Sequence, residues 1–532
     1  MRIDKVFIDN FKNLRQFSID IDKRQMHTVL LGANAAGKSN FLEALVIIFR
    51  DLDLKEATSF NYVIEYECKG NLLKVEGGPT LKGKYQFYLG KEIEGVINYS
   101  SKPITKKEID SNRDSYLPKY VFSYYSGVSN RLLEHFDRHQ NKFYKDLLDG
   151  IDDPFRPLFY ARIIHSYFVL LAFYGFNDEK INTFLKEYLN IVGLESVLFV
   201  MKKPNWKGNK EIGDRKFWYA KGVVKDFLNE LWNASIGPIY HKDKIREDFN
   251  KHPEQEHLYL YISNQEKLNS IAQKYKGNTD FFKQLESTYM SDLIQEVRVK
   301  VQKQNVDGTI TFKELSEGEQ QLLTVIGLLR FTKAEESLIL LDEPDTHLNP
   351  LWKWKYMNLL QEYTDKDKSS QILMTTHDPL VIGGLTKEEI RIFYSEKKTV
   401  ENDEQIFIKT MTPDFDPKGL GVAGILTSEF FNLPSTLDQD TLNDLNERNV
   451  LIAKQEKHEL SDEEKDRLTE LFYQFSKLGI NTTDRDPIYQ KFLIAITERE
   501  DFNFHTTSSK EREEQNKIAL DILEEIIKDS DK

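Results

Sequence analysis

Thr28-Val29-Leu30-Leu31-Gly32-Ala33-Asn34-Ala35-Ala36-Gly37-Lys38-Ser39-Asn40 is the stretch whose reading decides the fold. Four residues of apolar, partly β-branched character read as a short buried strand. Gly32 to Gly37 read as a loop, and from Ser39 the apolar residues Phe41, Leu42, Leu45, Ile48 and Phe49 fall at helical spacing. The loop matches G-x-x-x-x-G-K-[ST] at every fixed position. In such a loop successive backbone N–H groups surround a phosphate, and the helix behind it adds the positive end of its dipole. Lys38 would bring a point charge to the β- and γ-phosphates, and the Ser39 hydroxyl would ligate Mg2+. An ordinary glycine turn is the plainer reading, but the strand–loop–helix order favours the phosphate loop.

Leu338-Ile339-Leu340-Leu341-Asp342-Glu343 is a second apolar run, ending in two carboxylates. A buried parallel strand reads this way. Asp342 at its end would hold the magnesium through water, and Glu343 would polarise the attacking water. Leu315-Ser316-Glu317-Gly318-Glu319-Gln320 reads locally as a Ser N-cap with Glu319 at N3, a capping box.

The same segment, in its L-S-x-G-E form, resembles the signature motif of ABC-type ATPases. The resemblance implies that Ser316, Gly318 and Glu319 meet the γ-phosphate of a nucleotide held by a partner subunit. Two further pieces are similar to the same family. Pro344-Asp345-Thr346-His347-Leu348-Asn349-Pro350 resembles the D-loop, which brings Asp345 to the dimer interface. Ile372-Leu373-Met374-Thr375-Thr376-His377 is a strand ending at the place of the switch histidine. Tyr124-Tyr125-Ser126-Gly127 lies in the region of the Gln-loop but offers no glutamine, so that assignment stays open. The resemblance implies ATP as cofactor together with Mg2+. The nucleotide would lie on Gly32, Ala33, Asn34, Ala35, Ala36, Gly37, Lys38, Ser39 and Asn40, with catalytic roles for Glu343 and His377.

Ile8-Asp9-Asn10-Phe11-Lys12-Asn13-Leu14 resembles the opening of the RecF/SMC-like branch, in which Lys12 would lie near the nucleotide. Residues 39–315, which separate Lys38 from Ser316, exceed what a minimal head needs, so an insertion is implied. Towards the end, the segment Gly421 to Asp438 and then Arg485-Asp486-Pro487-Ile488-Tyr489 look like the tail of Septu-type anti-phage ATPases, including those encoded beside retrons. That likeness implies a partner HNH nuclease and, in retron versions, a reverse transcriptase with its RNA–DNA hybrid. It also implies a homodimer or higher even oligomer. The alternatives are a DNA-repair or recombination ATPase of the RecF/SMC type, a static ATP-bound scaffold, and an overcoming-lysogenization-type nuclease. The last needs a TOPRIM domain, and Asp484-Arg485-Asp486 precedes a proline in a helical acidic tail rather than ending a strand.

Composition excludes other classes. Of 532 residues, 40% are hydrophobic, which rules out wholesale disorder. One cysteine, Cys68, forms no internal disulfide. The densest apolar run, Tyr167 to Phe176, falls far short of the roughly 20 residues of a membrane span, and the first residues carry no signal-peptide pattern. The expectation is a soluble, cytoplasmic protein without a membrane partner. Net charge is −13, but 25 acidic and 14 basic residues from Leu426 onward supply −11 of it. The body is nearly neutral and compatible with a nucleic-acid partner.

Periodicity completes the expected organisation. Together with the resemblance to ABC-type ATPases it implies an α/β fold: an ABC-ATPase head, made of a P-loop sheet and an antiparallel β subdomain, with a helical insertion and a helical C-terminal extension. Residues 1–130 form the first ATPase lobe, 131–290 the helical insertion, 291–425 the second lobe, and 426–532 the acidic helical region. Within the insertion, Lys202, Lys203, Lys207, Lys210, Arg215, Lys216, Lys221 and Lys225 are interleaved with Trp206, Phe217, Trp218 and Tyr219. That pattern suits single strands or hybrid ends, and a solvated loop over core aromatics accounts for it equally.

Overall fold

A computed structural model describes the chain except residues 128, 130, 152–155, 177, 207–212, 246–247, 305–308, 333–335, 365–369, 401–402, 479–491, 493–494, 497–498, 500–508 and 531–532. Lys207, Lys210 and the Asp484–Tyr489 segment lie outside the described residues. The chain forms two compact units, Met1–Asp414 and Phe415–Lys532.

The first unit holds the strands β1 (Arg2–Phe11), β2 (Leu14–Asp20), β3 (His27–Gly32), β4 (Tyr62–Cys68), β5 (Asn71–Gly77), β6 (Tyr85–Ile93), β7 (Val96–Tyr99), β8 (Tyr120–Tyr125) and β9 (Leu158–Tyr160). It continues with β10 (Ile191–Lys202), β11 (Ile239–Lys244), β12 (Glu254–Ile262), β13 (Ile294–Lys303), β14 (Thr309–Thr311), β15 (Ser337–Asp342), β16 (Gln371–Thr375), β17 (Ile390–Val400) and β18 (Asp403–Met411).

They form three sheets. The main one runs β18-β17-β3-β16-β15-β8-β9, parallel from β17 to β9 with β18 antiparallel at its edge. The second is the antiparallel sheet β2-β1-β4-β5-β6-β7. The helix Lys38–Leu54 is buried almost all round because it packs between these two sheets. Its Phe41 meets Phe17 of β2 at 5.6 Å and Phe393 of β17 at 6.1 Å between ring centroids. An apolar run on every face of a helix is what such a double burial requires.

The third sheet, β11-β12-β10-β13-β14, corrects the reading of 131–290 as helical. Helices are there, at Asp137–Asp149, Ile164–Phe176, Glu179–Leu189, Gly222–Ala234, Gln265–Ala272 and Asn278–Met290. Yet they accompany β9 to β12, and β10 pairs with β13 across the expected lobe boundary. The physical signal is plain in β12: Leu258, Leu260 and Ile262 are buried while Tyr259 and Tyr261 are not, a period of two. In β10 the apolar run is interrupted by Gly193 and Glu195, where the pairing with β13 shifts register.

The second unit contains the helices Gly421–Thr427, Gln439–Glu456, Asp462–Lys477 and Ser509–Ser530. Leu451, Leu468, Leu471 and Phe475 form its small core, and Ser461 with Glu464 closes a capping box on the third of these helices. Among the described residues no helix is long and apolar enough to cross a membrane.

Candidate nucleotide site

Parallel strands bring their C-terminal ends to one edge, and the motifs meet there. Leu30 of β3 pairs with Thr375 of β16, Thr375 with Asp342 of β15, and Asp342 with Tyr125 of β8. A crevice at the carboxyl ends of such strands is where α/β sheets take their ligands. The strand carrying Thr375 and leading to His377 separates the phosphate-loop strand from the carboxylate strand.

The loop Gly32–Gly37 turns through left-handed backbone at Ala35 (φ 63°) and Gly37 (φ 91°). A Cβ on Gly37 would stand 2.8 Å from Leu14 Cδ2, so glycine is needed there for space as well as for φ. Lys38 Nζ donates to the carbonyls of Gly32 (2.7 Å) and Ala33 (3.0 Å), folding its ammonium over the loop. Burial pushes this ammonium down to about 8, against the pull of Glu343 and Asp342. A desolvated ammonium held by two carbonyls at the head of a helix gains from an anion brought beside it.

Ser39 Oγ donates to Asp342 Oδ1 at 3.0 Å, and Thr375 Oγ1 donates to the same oxygen at 2.6 Å. Asp342 is fully buried, and its Oδ2 has no hydrogen-bond partner. Burial raises its pKa, although both hydroxyls work against the rise. A buried orphan carboxylate oxygen beside a serine hydroxyl is a donor set that fits a hard divalent cation. Ser39 and Asp342 are therefore the residues that would hold Mg2+.

Glu343 sits at φ 51°, an uncommon conformation for a residue with a side chain. Its N–H donates to Thr375 Oγ1 at 2.9 Å, and its carboxylate faces His377 Nε2 at 3.4 Å. The histidine contact holds the Glu343 carboxyl below its ordinary range, against partial burial. An ionised carboxylate beside an imidazole at the loop can orient water and accept its proton. Asp345, two residues on, is 3% exposed, accepts from Thr376 Oγ1 at 2.8 Å, and leaves Oδ1 unpartnered. Burial pushes its carboxyl up to about 6.

The signature segment lies at the start of the helix Glu317–Thr332. Ser316 donates both its N–H (2.8 Å) and its hydroxyl (3.0 Å) to Glu319 Oε2, and Lys303 Nζ holds the other carboxylate oxygen at 2.7 Å. The capping reading of Ser316 and Glu319 is thus realised. Ser316 is exposed, and a Cβ on Gly318 would meet the His347 carbonyl oxygen at 2.4 Å, so the helix rests on the D-loop backbone there.

Lys12 is placed beside the phosphate loop, paired with Glu43 of the following helix at 2.6 Å. Its neighbour Asn13 donates to the Ala35 carbonyl at 2.8 Å and accepts from Asn40 Nδ2 at 2.6 Å. Arg131 and His135 share Glu43 with Lys12, and Arg131 also donates to Asn40 Oδ1. Burial would raise the Glu43 carboxyl, but the bonds from His135, Lys12 and Arg131 outweigh it and hold it near about 2. Sequence reasoning missed Asn13, Glu43, Thr375, Gln321 and Arg131. Thr375 could have been found, since it is the polar residue that closes an apolar strand run, two residues before the histidine.

The Tyr124–Gly127 segment ends beside the carboxylates: Ser126 N–H donates to the Asp342 carbonyl at 3.2 Å and Ser126 Oγ lies 3.1 Å from Thr346 Oγ1. The basic aromatic segment is more committed than its composition implies. Phe217 is buried against Trp232, Trp218 Nε1 donates to Glu256 at 2.6 Å, and Trp206 Nε1 donates to the Trp218 carbonyl at 3.1 Å. Lys202 is paired with Asp292. Rings engaged this way serve the fold first.

Two family models match successive stretches: an AAA ATPase domain over residues 1–153, and an AAA domain of putative AbiEii toxin, Type IV TA system, over 147–383. The chain is 27% identical over 282 residues to a Septu protein PtuA of Bacillus mycoides, covering 51% of this chain and 35% of that protein. It is 23% identical over 267 residues to the Retron Vc95 probable ATPase of Vibrio cholerae, covering 44% of this chain and 49% of that one. It is 21% identical over 435 residues to the Retron Ec83 probable ATPase of Escherichia coli, covering 75% and 72%. The chain thus spans about a third and a half of the first two relatives. Among solved structures, an SMC head domain from Thermotoga maritima aligns over 78% of this chain and 100% of its own at 14% identity, with a TM-score of 0.30.

Proposed function

We propose that this chain, an ABC-type ATPase resembling those of Septu and retron systems, binds and hydrolyses ATP within an anti-phage defence system. The observation that carries the reading is the convergence on Asp342. Ser39 of the loop helix and Thr375 of the switch strand bond to one oxygen of a buried carboxylate whose other oxygen is free for a ligand. Magnesium, when bound, would neutralise charge on the β- and γ-phosphate oxygens. The loop N–H groups and Lys38 bind the phosphates, Glu343 takes a proton from the attacking water, and His377 keeps the Glu343 carboxylate ionised and aimed.

The signature end, where Ser316 and Glu317 are exposed, is the half-site offered to the nucleotide of a second copy, so two heads close face to face and reopen after hydrolysis. That cycle would control a partner nuclease of the HNH type and, where a retron is attached, its reverse transcriptase and RNA–DNA hybrid. The test is turnover by the purified chain beside Glu343→Gln. The substitution keeps shape but removes the base, so the rate should fall at least about tenfold, roughly 1.4 kcal/mol of barrier, while a nucleotide-closed dimer accumulates. Equal turnover by both proteins would overturn the assignment of Glu343. Pull-down with a co-expressed neighbouring HNH nuclease, with and without ATP, tests the partner.

A further inference from the structure

Gln321 lies inside the signature helix and is 3% exposed. Its side-chain amide bonds at two points of the segment that follows the carboxylate strand: Nε2 donates to the Glu343 carbonyl at 3.5 Å, and Oε1 accepts from the His347 N–H of the D-loop at 3.2 Å. Gln321 and Gly318 are three residues apart, hence on one helix face, and Gly318 rests on the same D-loop residue, His347. The turn they hold is the one that places the catalytic carboxylate. Glu343 keeps its left-handed φ there, and its carbonyl also accepts from the Thr346 hydroxyl at 2.8 Å.

We infer that Gln321 is a positioning residue, holding the turn at Glu343 from the signature helix so that movement of that helix resets the general base. The inference rests on the proposed ATPase reading and adds a link between its two half-sites. Ser316 and Gly318 face the partner's nucleotide, whereas Glu343 acts on the chain's own. One buried amide joins the two. A glutamine suits the place because it needs one donor and one acceptor, which neither a carboxylate nor an apolar isostere supplies at neutral pH.

The experiment compares wild type, Gln321→Met, Gln321→Glu and Glu343→Gln in ATP turnover from pH 6 to pH 8, with nucleotide affinity measured separately. Gln321→Met fills the same space without either bond, so kcat should fall about tenfold or more with KM little changed. Gln321→Glu keeps the acceptor for His347, and only its protonated form can donate to the Glu343 carbonyl. Its rate relative to wild type should therefore climb as pH falls, while the relative rate of Gln321→Met stays flat. A residue that only packs the helix would give both variants the wild-type pH profile. Wild-type kcat in Gln321→Met, or parallel pH profiles for the two variants, overturns the positioning role while leaving the ATPase reading intact, because Glu343→Gln still reports on the base. If Gln321→Met does not fold, the pH recovery of Gln321→Glu decides alone. No turnover in wild type, equal to Glu343→Gln, removes both readings together.

Discussion

The phosphate-loop half and the signature half of this site are built on opposite plans. At the loop, every charged group is already placed by the chain itself: Lys38 over two carbonyls, Ser39 and Thr375 on Asp342, His377 on Glu343. At the signature, Ser316 is exposed, and its two donors go to Glu319 of its own helix. On the proposed reading, the first half is a receptor for triphosphate completed within the chain. The second is a helix N-terminus held in shape by its cap, with nothing of its own loop to bind. The lesson is that preorganisation is spent where the chain acts alone, and a local cap suffices where the other party arrives from outside.

The largest expected effect breaks the loop side. Lys38→Ala removes the side-chain cation of the finished receptor. A hydrogen bond to a charged group is worth about 1.5–3 kcal/mol, so nucleotide affinity should fall roughly 10- to 150-fold. Isothermal titration with a slowly hydrolysed analogue measures it, and wild-type affinity would sink the phosphate-loop assignment. Because burial holds Lys38 down to about 8 and a bound anion reverses that, wild type should take up a proton on binding near pH 8.5. Lys38→Ala should not.

The signature side should break differently. Ser316→Arg puts a bulky cation where a partner's nucleotide would dock and leaves the loop untouched. Nucleotide binding to the monomer should stay within about twofold of wild type, yet hydrolysis should fail, since uniform binding is preserved and only the closed state is lost. Mixing this variant with Lys38→Ala sharpens the comparison. Full turnover by Ser316→Arg alone would show that one chain makes a complete site.

How much of this was legible follows the same division. The loop, the carboxylates and the histidine are contiguous motifs that follow neighbouring parallel strands, and the signature is a contiguous motif at the start of a helix. What stayed hidden depends on residues remote in sequence. Gln321 reads as one more polar residue on a helix, and only the fold shows that it reaches Glu343 and His347. Glu43 lies among apolar neighbours in the helix Lys38–Leu54, and Lys12, Arg131 and His135 reach it from two other places in the chain. The insertion sheet was missed for a different reason. Helical spacing in its flanking segments dominated, although Glu254–Ile262 alternates openly. The aromatics of 202–225 were ambiguous by composition, and burial of Phe217 and bonding of Trp218 show that they hold the insertion together.

The smallest effect concerns the D-loop, where the two plans meet. Asp345 is wired like the loop side, through Thr376, but it belongs to the segment that would face a partner. Burial raises its carboxyl from the ordinary range to about 6, and its Oδ1 has no partner. The native state therefore binds a proton that the unfolded chain has already released between about pH 4 and pH 6. Stability drops as pH rises through that window, and above about 6 the whole cost is present. Asparagine keeps an oxygen for the Thr376 hydroxyl and carries no charge. Asp345→Asn should therefore melt higher than wild type at pH 7.5, by about 1–3 kcal/mol in stability, and the advantage should vanish as pH falls below about 4. Head closure should weaken at the same time if the unpartnered oxygen is kept for the second copy. A variant more stable at pH 7.5 that closes as well as wild type would make Asp345 a buried liability of the fold. One that gains stability and loses closure would place it with the signature, on the side built for a partner.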